Sequence, residues 1–548
     1  MTGSKKGWAI KGISMEGWAL PISIGLAFLL SVIGISWGRY DDWNFDQMAF
    51  LPLRGDGFPV HYLKPPLHTY LSQFLVVRPL HGLVVWIPSF AGSQENLQRL
   101  TVLCGHLFTV LLYCGSVFLC YLVTLRTAGA RAAAFVALIL ATSAGLIQFN
   151  HYGTADSPLL FWMLASLAMA LRYSTSGSWV DSLAAGLLAG LAAADKYNGL
   201  GVAVAIPVAA LLRSGWKGVF LPASLLGALA VPLGFLIGNP GAVLDRARFL
   251  QQFLYNSLTT PVYYGEIHRT GYWDFLTSFP ELLGLPASLL LAFLFCATLR
   301  LFAKGRLDAG EVRLLCVTGA VFLFYFATIG RFPRMEPRFV MPAVPFALML
   351  AAPAVRRIPL SRPILAIFGT LLAYNILCSA WLGSLFLQDP RMAAQKFAES
   401  HFPPGASVES TYSPDWNLLP GISVSIRKVA CDSGADNRFT AIFGKDNEII
   451  SKGLKECAAH DPSGFFSAEE LMRRNPDFIT FTSVTYVIAA DEGTRSFYRD
   501  LESGCLGYSK VFEKSLPKTP RWLYPRSSDA LMDRMVILAR TGDRSSTR

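Results

Sequence analysis

The feature that most constrains this chain is a succession of long apolar runs separated by short polar loops. They read as residues 17–36, 100–123, 132–149, 157–172, 182–194, 199–212, 218–237, 281–299, 314–329, 339–355 and 364–386. Many approach the length of roughly 20 residues that a helix needs to cross the hydrocarbon layer, so the pattern gives about eleven crossings. The 548 residues are 53% hydrophobic and only 16% charged, a balance that excludes an ordinary water-soluble globule. A polytopic α-helical membrane protein is the class expected, because helices satisfy their own backbone in lipid. The first run lacks a small-residue cleavage site after it and is read as a retained anchor.

Orientation follows from the cations. With Lys5, Lys6 and Lys11 on the cytoplasmic side, alternate loops collect Arg126 and Arg131, then Arg172, then Arg213 and Lys217. Arg300, Lys304, Arg306 and Arg313 come next, followed by Arg356, Arg357 and Arg362, while the acids there are chiefly Asp181, Asp308 and Glu311. The net charge of +11 therefore reports topology, and nucleic-acid binding is not expected. The count is most exposed to error at 182–212, where two short runs flank Asp195 and Lys196. A single helix there would reverse every later loop, and the loop charges argue for two. An odd number of spans leaves the N terminus cytoplasmic and the C terminus on the other side.

Residues 1–386 thus form a transmembrane domain, and the more polar 387–548 read as an extracytoplasmic α/β domain. Its strand-like runs are SVEST, SVSIRKVA and FITFTSVTYVIA, separated by helix-like stretches and turns. Six of nine cysteines lie in apolar runs as small core residues. Cys431, Cys457 and Cys505 offer one disulfide and one spare thiol, or none.

Sorting the non-cytoplasmic loops by content brings acids and cations to one face. The first carries Asp41, Asp42, Asp46, Asp56, His61, Lys64 and His68, and the second carries Asn150, His151, Tyr152, Thr154 and Asp156. The third is Asp195-Lys196-Tyr197-Asn198. The fourth holds Tyr263, Tyr264, Glu266, His268 and Arg269, and the fifth holds Arg331, Arg334, Glu336 and Arg338. Cations that grip a phosphate leaving group and a carboxylate that takes a proton suit transfer from an anionic lipid-linked substrate to a neutral nucleophile. A secondary transporter or flippase for a lipid-linked or anionic substrate is the rival class. It would place ionisable groups near the bilayer midplane and often shows repeated halves, and neither is evident here. A polytopic scaffold is a third, weaker reading. The histidines match no zinc spacing, and there is no HExxH, CxxC or P-loop. No cofactor is expected, and a bound divalent metal is the weaker alternative.

The order of these motifs resembles the GT-C membrane glycosyltransferases: an acidic pair after span 1, then YLKPPLHTYL, TADSPLLFW, DKYNG and EPRFVMPAVPF. The nearest likeness is to the bacterial branch that includes the aminoarabinose transferase of lipid A and the protein O-mannosyltransferases. That resemblance implies an inverting transfer of a hexosyl or pentosyl group from a polyprenyl-phosphate sugar donor. The acceptor would be an envelope lipid, a glycan or a protein, outside the bacterial cytoplasmic (inner) membrane. It gives the general base to Asp41, with Asp42 as companion or alternative, and aligns Lys64 with the lysine of the family's Glu-Lys-Pro-Pro motif. Lys64 would neutralise the donor phosphate, or else snorkel to the headgroups. Leu63 stands where the aminoarabinose branch has Glu, which puts any metal or amino-sugar contact built on that glutamate in doubt. Asp156 would be a second acidic site residue or a helix cap. Lys196 and Tyr197 would bind the donor phosphate or its prenyl start, and Arg338 the phosphate or a lipid headgroup. Further substrate contacts fall to His61, His68, His151, Tyr264, His268 and Arg269.

Overall fold

A computed structural model describes residues 15–38, 56–59, 62, 64–84, 87, 94–259, 271–332, 335–359, 361–410, 424–426, 467–482, 492–525, 531 and 533–541. The chain divides into two compact units. One comprises Met1–Ser36, Asp46–Ser384 and Thr519–Ser527, and the other Trp37–Phe45, Leu385–Lys518 and Ser528–Arg548.

The first unit is helical wherever the sequence is continuously apolar. Among the described residues six helices are long and apolar enough to cross a membrane. A seventh span results if Ala130–Ala141 and Ala144–His151, bent by 56°, count as one. The helices Trp18–Val32 and Pro222–Gly238 are apolar but shorter.

The uncertain stretch around Lys196 is two helices. Trp179–Asp195 stops where Lys196 turns extended at φ −151°, ψ 130°, and a 3-10 turn from Tyr197 leads into Ala205–Val219. Small residues then fix the packing. A Cβ at Gly186 would strike the Gly227 carbonyl, one at Gly190 the Val231 carbonyl, and one at Gly238 would lie 2.5 Å from the Ala194 Cβ. The contacts advance together along both segments, so Trp179–Asp195 and Pro222–Gly238 run parallel, backbone against backbone, as small residues allow in lipid. Parallel packing requires the chain to reverse twice between them, before and after the intervening segment Tyr197–Val219, and the helix break at Lys196 is where the first turn begins.

The cation-rich loops gather at one end of this unit. Asp308 caps Ala309–Ile329 in a reciprocal box with Glu311, each backbone N–H donating to the other's carboxylate at 2.9 Å. The buried Glu311 carboxylate accepts from both Nη atoms of Arg357 at 2.6 and 2.8 Å, and Arg356 pairs with Asp308. Arg131 donates to the Ile358 carbonyl at 2.9 Å, tying a third cationic loop to the same end.

The second unit is a mixed five-stranded sheet between helices, in the order β2-β1-β3-β5-β4. The strands are β1 (Val408–Ser410), β2 (Val424–Ile426), β3 (Phe478–Thr482), β4 (Tyr508–Ser515) and β5 (Arg534–Arg540). β1 lies parallel to β2 and β3, whereas β5 is antiparallel to both β3 and β4. Alternation along β3 and β5 sends Ile479, Phe481, Val536 and Leu538 to one face, against Phe497, Tyr498 and Leu501 of the helix Glu492–Glu502. Met535 and Ile537 face the other way, onto Ala394 and Ala398 of Pro390–His401. The Asp477 carboxylate accepts from the Ser407 backbone N–H at 2.9 Å, the Ser407 hydroxyl at 2.8 Å and Arg540 at 2.9 Å. Those bonds hold it below the usual carboxylate range.

Candidate functional site

At the end of the first unit where Trp179–Asp195 stops, Asp156 opens the helix Asp156–Ser176. Ala155 occupies the cap position without a side-chain bond, so the Asp156 carboxylate is not spent on capping. It pairs with the Lys196 ammonium through Oδ1 and accepts from the Thr154 hydroxyl through Oδ2 at 3.0 Å. Asp156 is buried and Lys196 about a quarter exposed, so the carboxylate is the enclosed partner of the pair. A carboxylate in the first turn also suits the positive end of the helix dipole. Asp195, one residue before Lys196, is fully buried, and neither of its oxygens has a hydrogen-bond partner among the described residues.

Tyr197 reaches the Lys-Pro-Pro segment. Its hydroxyl donates to the Tyr62 carbonyl at 2.8 Å, while the Tyr62 backbone N–H donates to Gln252 Oε1 at 2.5 Å. The two peptide groups that flank the Tyr62 Cα are therefore each held, two residues before Lys64. The Tyr62 ring is fully buried and meets Phe249 edge-on, with centroids 5.9 Å apart. Gly241 permits this, because a Cβ there would strike the Tyr62 hydroxyl. Pro65 and Pro66 are buried behind the half-buried Lys64, and the short helix Leu67–Leu71 follows at once. Two successive rings fix φ and stiffen the base from which the lysine projects.

The fifth loop reaches the same end. Tyr325, near the close of Ala309–Ile329, donates to the Asn198 carbonyl at 2.6 Å. Past it, Arg338 enters the turn Pro337–Val340, pairs with Glu336 and stands 5.5 Å from the Phe339 ring centroid. The adjoining turn Met341–Ala343 packs on the helix that Asp156 opens.

Of the candidate histidines, His68 and His151 fall among the described residues, and both lie in the packed interior. His68 stacks on Phe108 with centroids 5.8 Å apart, and its Nε2 is 3.4 Å from the Thr109 hydroxyl. Burial between the spans pushes its imidazole down to about 3, so it is neutral at ordinary pH. His151 Nε2–H donates to the Ile33 carbonyl at 2.7 Å. Beside it Asn150 donates to the Ser31 hydroxyl at 2.8 Å, and His106 Nδ1–H donates to the Ile35 carbonyl at 2.9 Å. Three polar side chains thus secure the last turn of the first helix, immediately upstream of the acidic pair.

The fold brings Asp156, Lys196, Tyr197, Lys64 and Arg338 to one end of the bundle. Asp41, Asp42, His61, Tyr264, His268 and Arg269 lie outside the described residues, as do Cys431 and Cys457, while Cys505 is a free thiol. Tyr62, Gln252 and His106 were not foreseen. They act through backbone groups, and nothing in the residue types around them marks such contacts. Among the described residues no cluster of three or more His, Cys, Asp or Glu side chains is arranged to hold a metal ion.

The family model of dolichyl-phosphate-mannose-protein mannosyltransferases matches residues 41–255, and that of the Alg9-like mannosyltransferase family matches residues 247–400. No curated protein matches the chain. The structure is similar to that of ArnT from Cupriavidus metallidurans bound to undecaprenyl phosphate. Identity is 14% and the TM-score 0.51, with 96% of this chain and 98% of that one covered. Against apo ArnT from the same organism the TM-score is 0.53 at 14% identity, covering 95% and 98%. At that identity the likeness is one of fold.

Proposed function

We propose that this chain, a membrane glycosyltransferase of the GT-C fold, moves a single sugar with inversion from a polyprenyl-phosphate carrier to a lipid, glycan or protein acceptor. The reaction takes place on the outer face of the bacterial cytoplasmic membrane. Residues 1–386 carry the chemistry, and 387–548 form the extracytoplasmic domain.

The observation that carries this reading is the grouping of Lys196, paired to Asp156, with a Tyr197–Tyr62–Gln252 clamp behind Lys64-Pro-Pro. Such a grouping suits a leaving phosphate. Lys64, Lys196 and Arg338 offset the charge that grows on the phosphate oxygens as the glycosidic bond breaks. Asp41, with Asp42 beside it in sequence, takes the proton from the acceptor hydroxyl as that oxygen attacks the anomeric carbon from the opposite side. One displacement inverts the centre, and no covalent sugar intermediate forms. Asp156 holds Lys196 in place and orients the acceptor, and Tyr197 keeps the lysine loop in register. The proton passes to the aspartate and the phosphate leaves on its carrier, so transfer needs no cofactor.

Comparing envelope lipids and glycans by mass spectrometry between a deletion strain and its parent tests the reading. A sugar should vanish on deletion, return with the intact gene, and fail to return with Asp41→Asn expressed at the normal level. An unchanged glycan profile overturns the function, and full restoration by Asp41→Asn overturns the choice of base.

A further inference from the structure

Five spans meet at the cation-rich end of the first unit. Arg99–Ala128, Leu285–Ala303 and Pro337–Arg357 finish there, while Ala309–Ile329 and Arg362–His401 begin there. Their ends are tied together: a Cβ at Gly310 would lie 2.9 Å from the Thr127 carbonyl, and Arg357 Nη2 donates to the Arg306 carbonyl at 2.6 Å. Span ends gathered at one level lie where hydrocarbon gives way to lipid headgroups.

Arg131 stands in the first turn of the helix Ala130–Ala141. A cation there faces the positive end of the helix dipole, so the helix itself does not call for it. Gly129, at φ 90°, holds the cap position and no side chain caps the turn, which leaves the first backbone N–H groups open. Arg131 Nη1 donates to the Ile358 carbonyl at 2.9 Å and to the Arg356 carbonyl at 3.4 Å. Its Nε is buried without a hydrogen-bond partner among the described residues. Arg356, 46% exposed, meets Asp308 and Glu311 through Nη1 alone among the described residues, and Arg357 takes the rest of the Glu311 carboxylate. Three guanidinium groups thus face two carboxylates that are already paired. Arg306 and Arg362, both exposed, pair with no carboxylate among the described residues. Beside Arg131 an apolar seam begins. Phe135, one turn on, meets Phe368 of Arg362–Leu387 with centroids 5.4 Å apart, and Leu365 and Ile367 on that helix are 43% and 64% exposed.

We propose that Arg131, Arg356 and the open first turn of Ala130–Ala141 bind the phosphodiester headgroup of an anionic phospholipid, whose acyl chains lie along the seam between that helix and Arg362–Leu387. A guanidinium fork matches phosphate oxygens, and an uncapped helix start favours an anion. Basic pockets between spans take anionic headgroups for the same reason. A free phosphate satisfies the same donors, but only a lipid also covers Leu365 and Ile367. The proposal does not depend on the site around Lys196.

The test uses full-length protein in neutral detergent. Phosphatidylglycerol added in steps should raise the melting temperature to a plateau, because a ligand held by the folded state alone stabilises it. Phosphatidylcholine and inorganic phosphate at the same concentrations should not. Arg131→Gln should shift half-saturation at least about tenfold upward, as expected for losing a charge-assisted contact. Arg131→Lys keeps a donor for the Ile358 carbonyl, and with it the fold, but lacks the fork and should still cost about threefold. An equal rise with phosphatidylcholine makes the effect general solvation by lipid, and an equal rise with inorganic phosphate makes the site one for a soluble anion. Either result overturns the proposal. So does half-saturation unmoved in Arg131→Gln, or in Arg131→Lys where the first variant does not fold.

Discussion

Replacing Lys196 by Met keeps the stem of the side chain and removes its charge. The Asp156 carboxylate, 6% exposed, then retains, among the described residues, the Thr154 hydroxyl at 3.0 Å as donor. Breaking a fully buried ion pair costs about 3–5 kcal/mol. Lys196 is 26% exposed, however, so water screens the pair and the expected loss falls to roughly 2 kcal/mol. The double variant Lys196→Met, Asp156→Asn leaves no unpaired charge and should regain most of that stability, since groups in direct contact are strongly non-additive. Transfer should behave differently. If the ammonium meets the phosphate and the carboxylate holds it there, both variants stay at least about 100-fold below the parent, or about 2.7 kcal/mol of barrier. Thermal unfolding in detergent reads the first quantity, and transfer rates in membranes with saturating donor read the second. Recovery of transfer alongside stability would make the pair a structural brace and refute its place in the site.

Tyr197→Phe removes the bond to the Tyr62 carbonyl and frees the peptide ahead of Lys64. A single hydrogen bond of about 1 kcal/mol predicts a roughly fivefold rise in donor KM at constant kcat, and an unchanged KM would disconnect Tyr197 from the donor. Gly190→Leu drives a side chain into the backbone at Val231, Gly234 and Phe235, none of which can swing away, so little folded protein should accumulate. Gly369→Ala, with nothing within 4 Å of the added Cβ, is the neutral control in the same expression assay. Asp195→Asn relieves a buried carboxylate without a hydrogen-bond partner and should raise the melting temperature, whereas a fall would reveal that the charge is matched in the membrane. For the second unit, the Asp477 carboxyl titrates lower when folded than when unfolded. Its stabilisation is therefore complete above the unfolded value of roughly 4 and fades as pH falls through the lower folded value. Asp477→Asn should flatten that acid limb in a denaturation series, and an unchanged limb would refute the assignment.

Much of the architecture was legible because lipid leaves few choices. An apolar run of sufficient length must be helical, and every such run is. The break at Lys196 could also be inferred, since one long helix would have scattered the cationic loops to both ends, whereas Arg131, Arg356, Arg357 and Glu311 meet at one. The sheet was harder to read. β1, β2 and β3 stand out as β-branched or aromatic runs, but β4 reads YSKVFEKS and β5 reads RMVILAR. The first is an exposed edge carrying Lys and Glu, as edges that resist aggregation do, and its hydrophobic signal is correspondingly thin. The second lies between neighbours on both sides with Met535 through Leu538 all buried, so a continuous apolar run replaces the alternation that marks a half-buried strand.

The site divides along a different line. Asp156, Lys196, Lys64 and Arg338 could be picked out because charged groups flanking an apolar run are costly unless they have work or partners. Which of them meet was not legible, since Asp156 and Lys196 are forty residues apart and their pairing depends on two helix ends arriving at one level. Gln252 and His106 belong to neither group. With His151 they grip main-chain N–H and C=O groups at residues 62, 35 and 33, and almost any polar side chain of suitable reach satisfies such a group. No residue type or spacing encodes that job. Residues that do chemistry are constrained by what they are, whereas residues that hold the chain are constrained by where they are, and only a structure supplies the second kind of information.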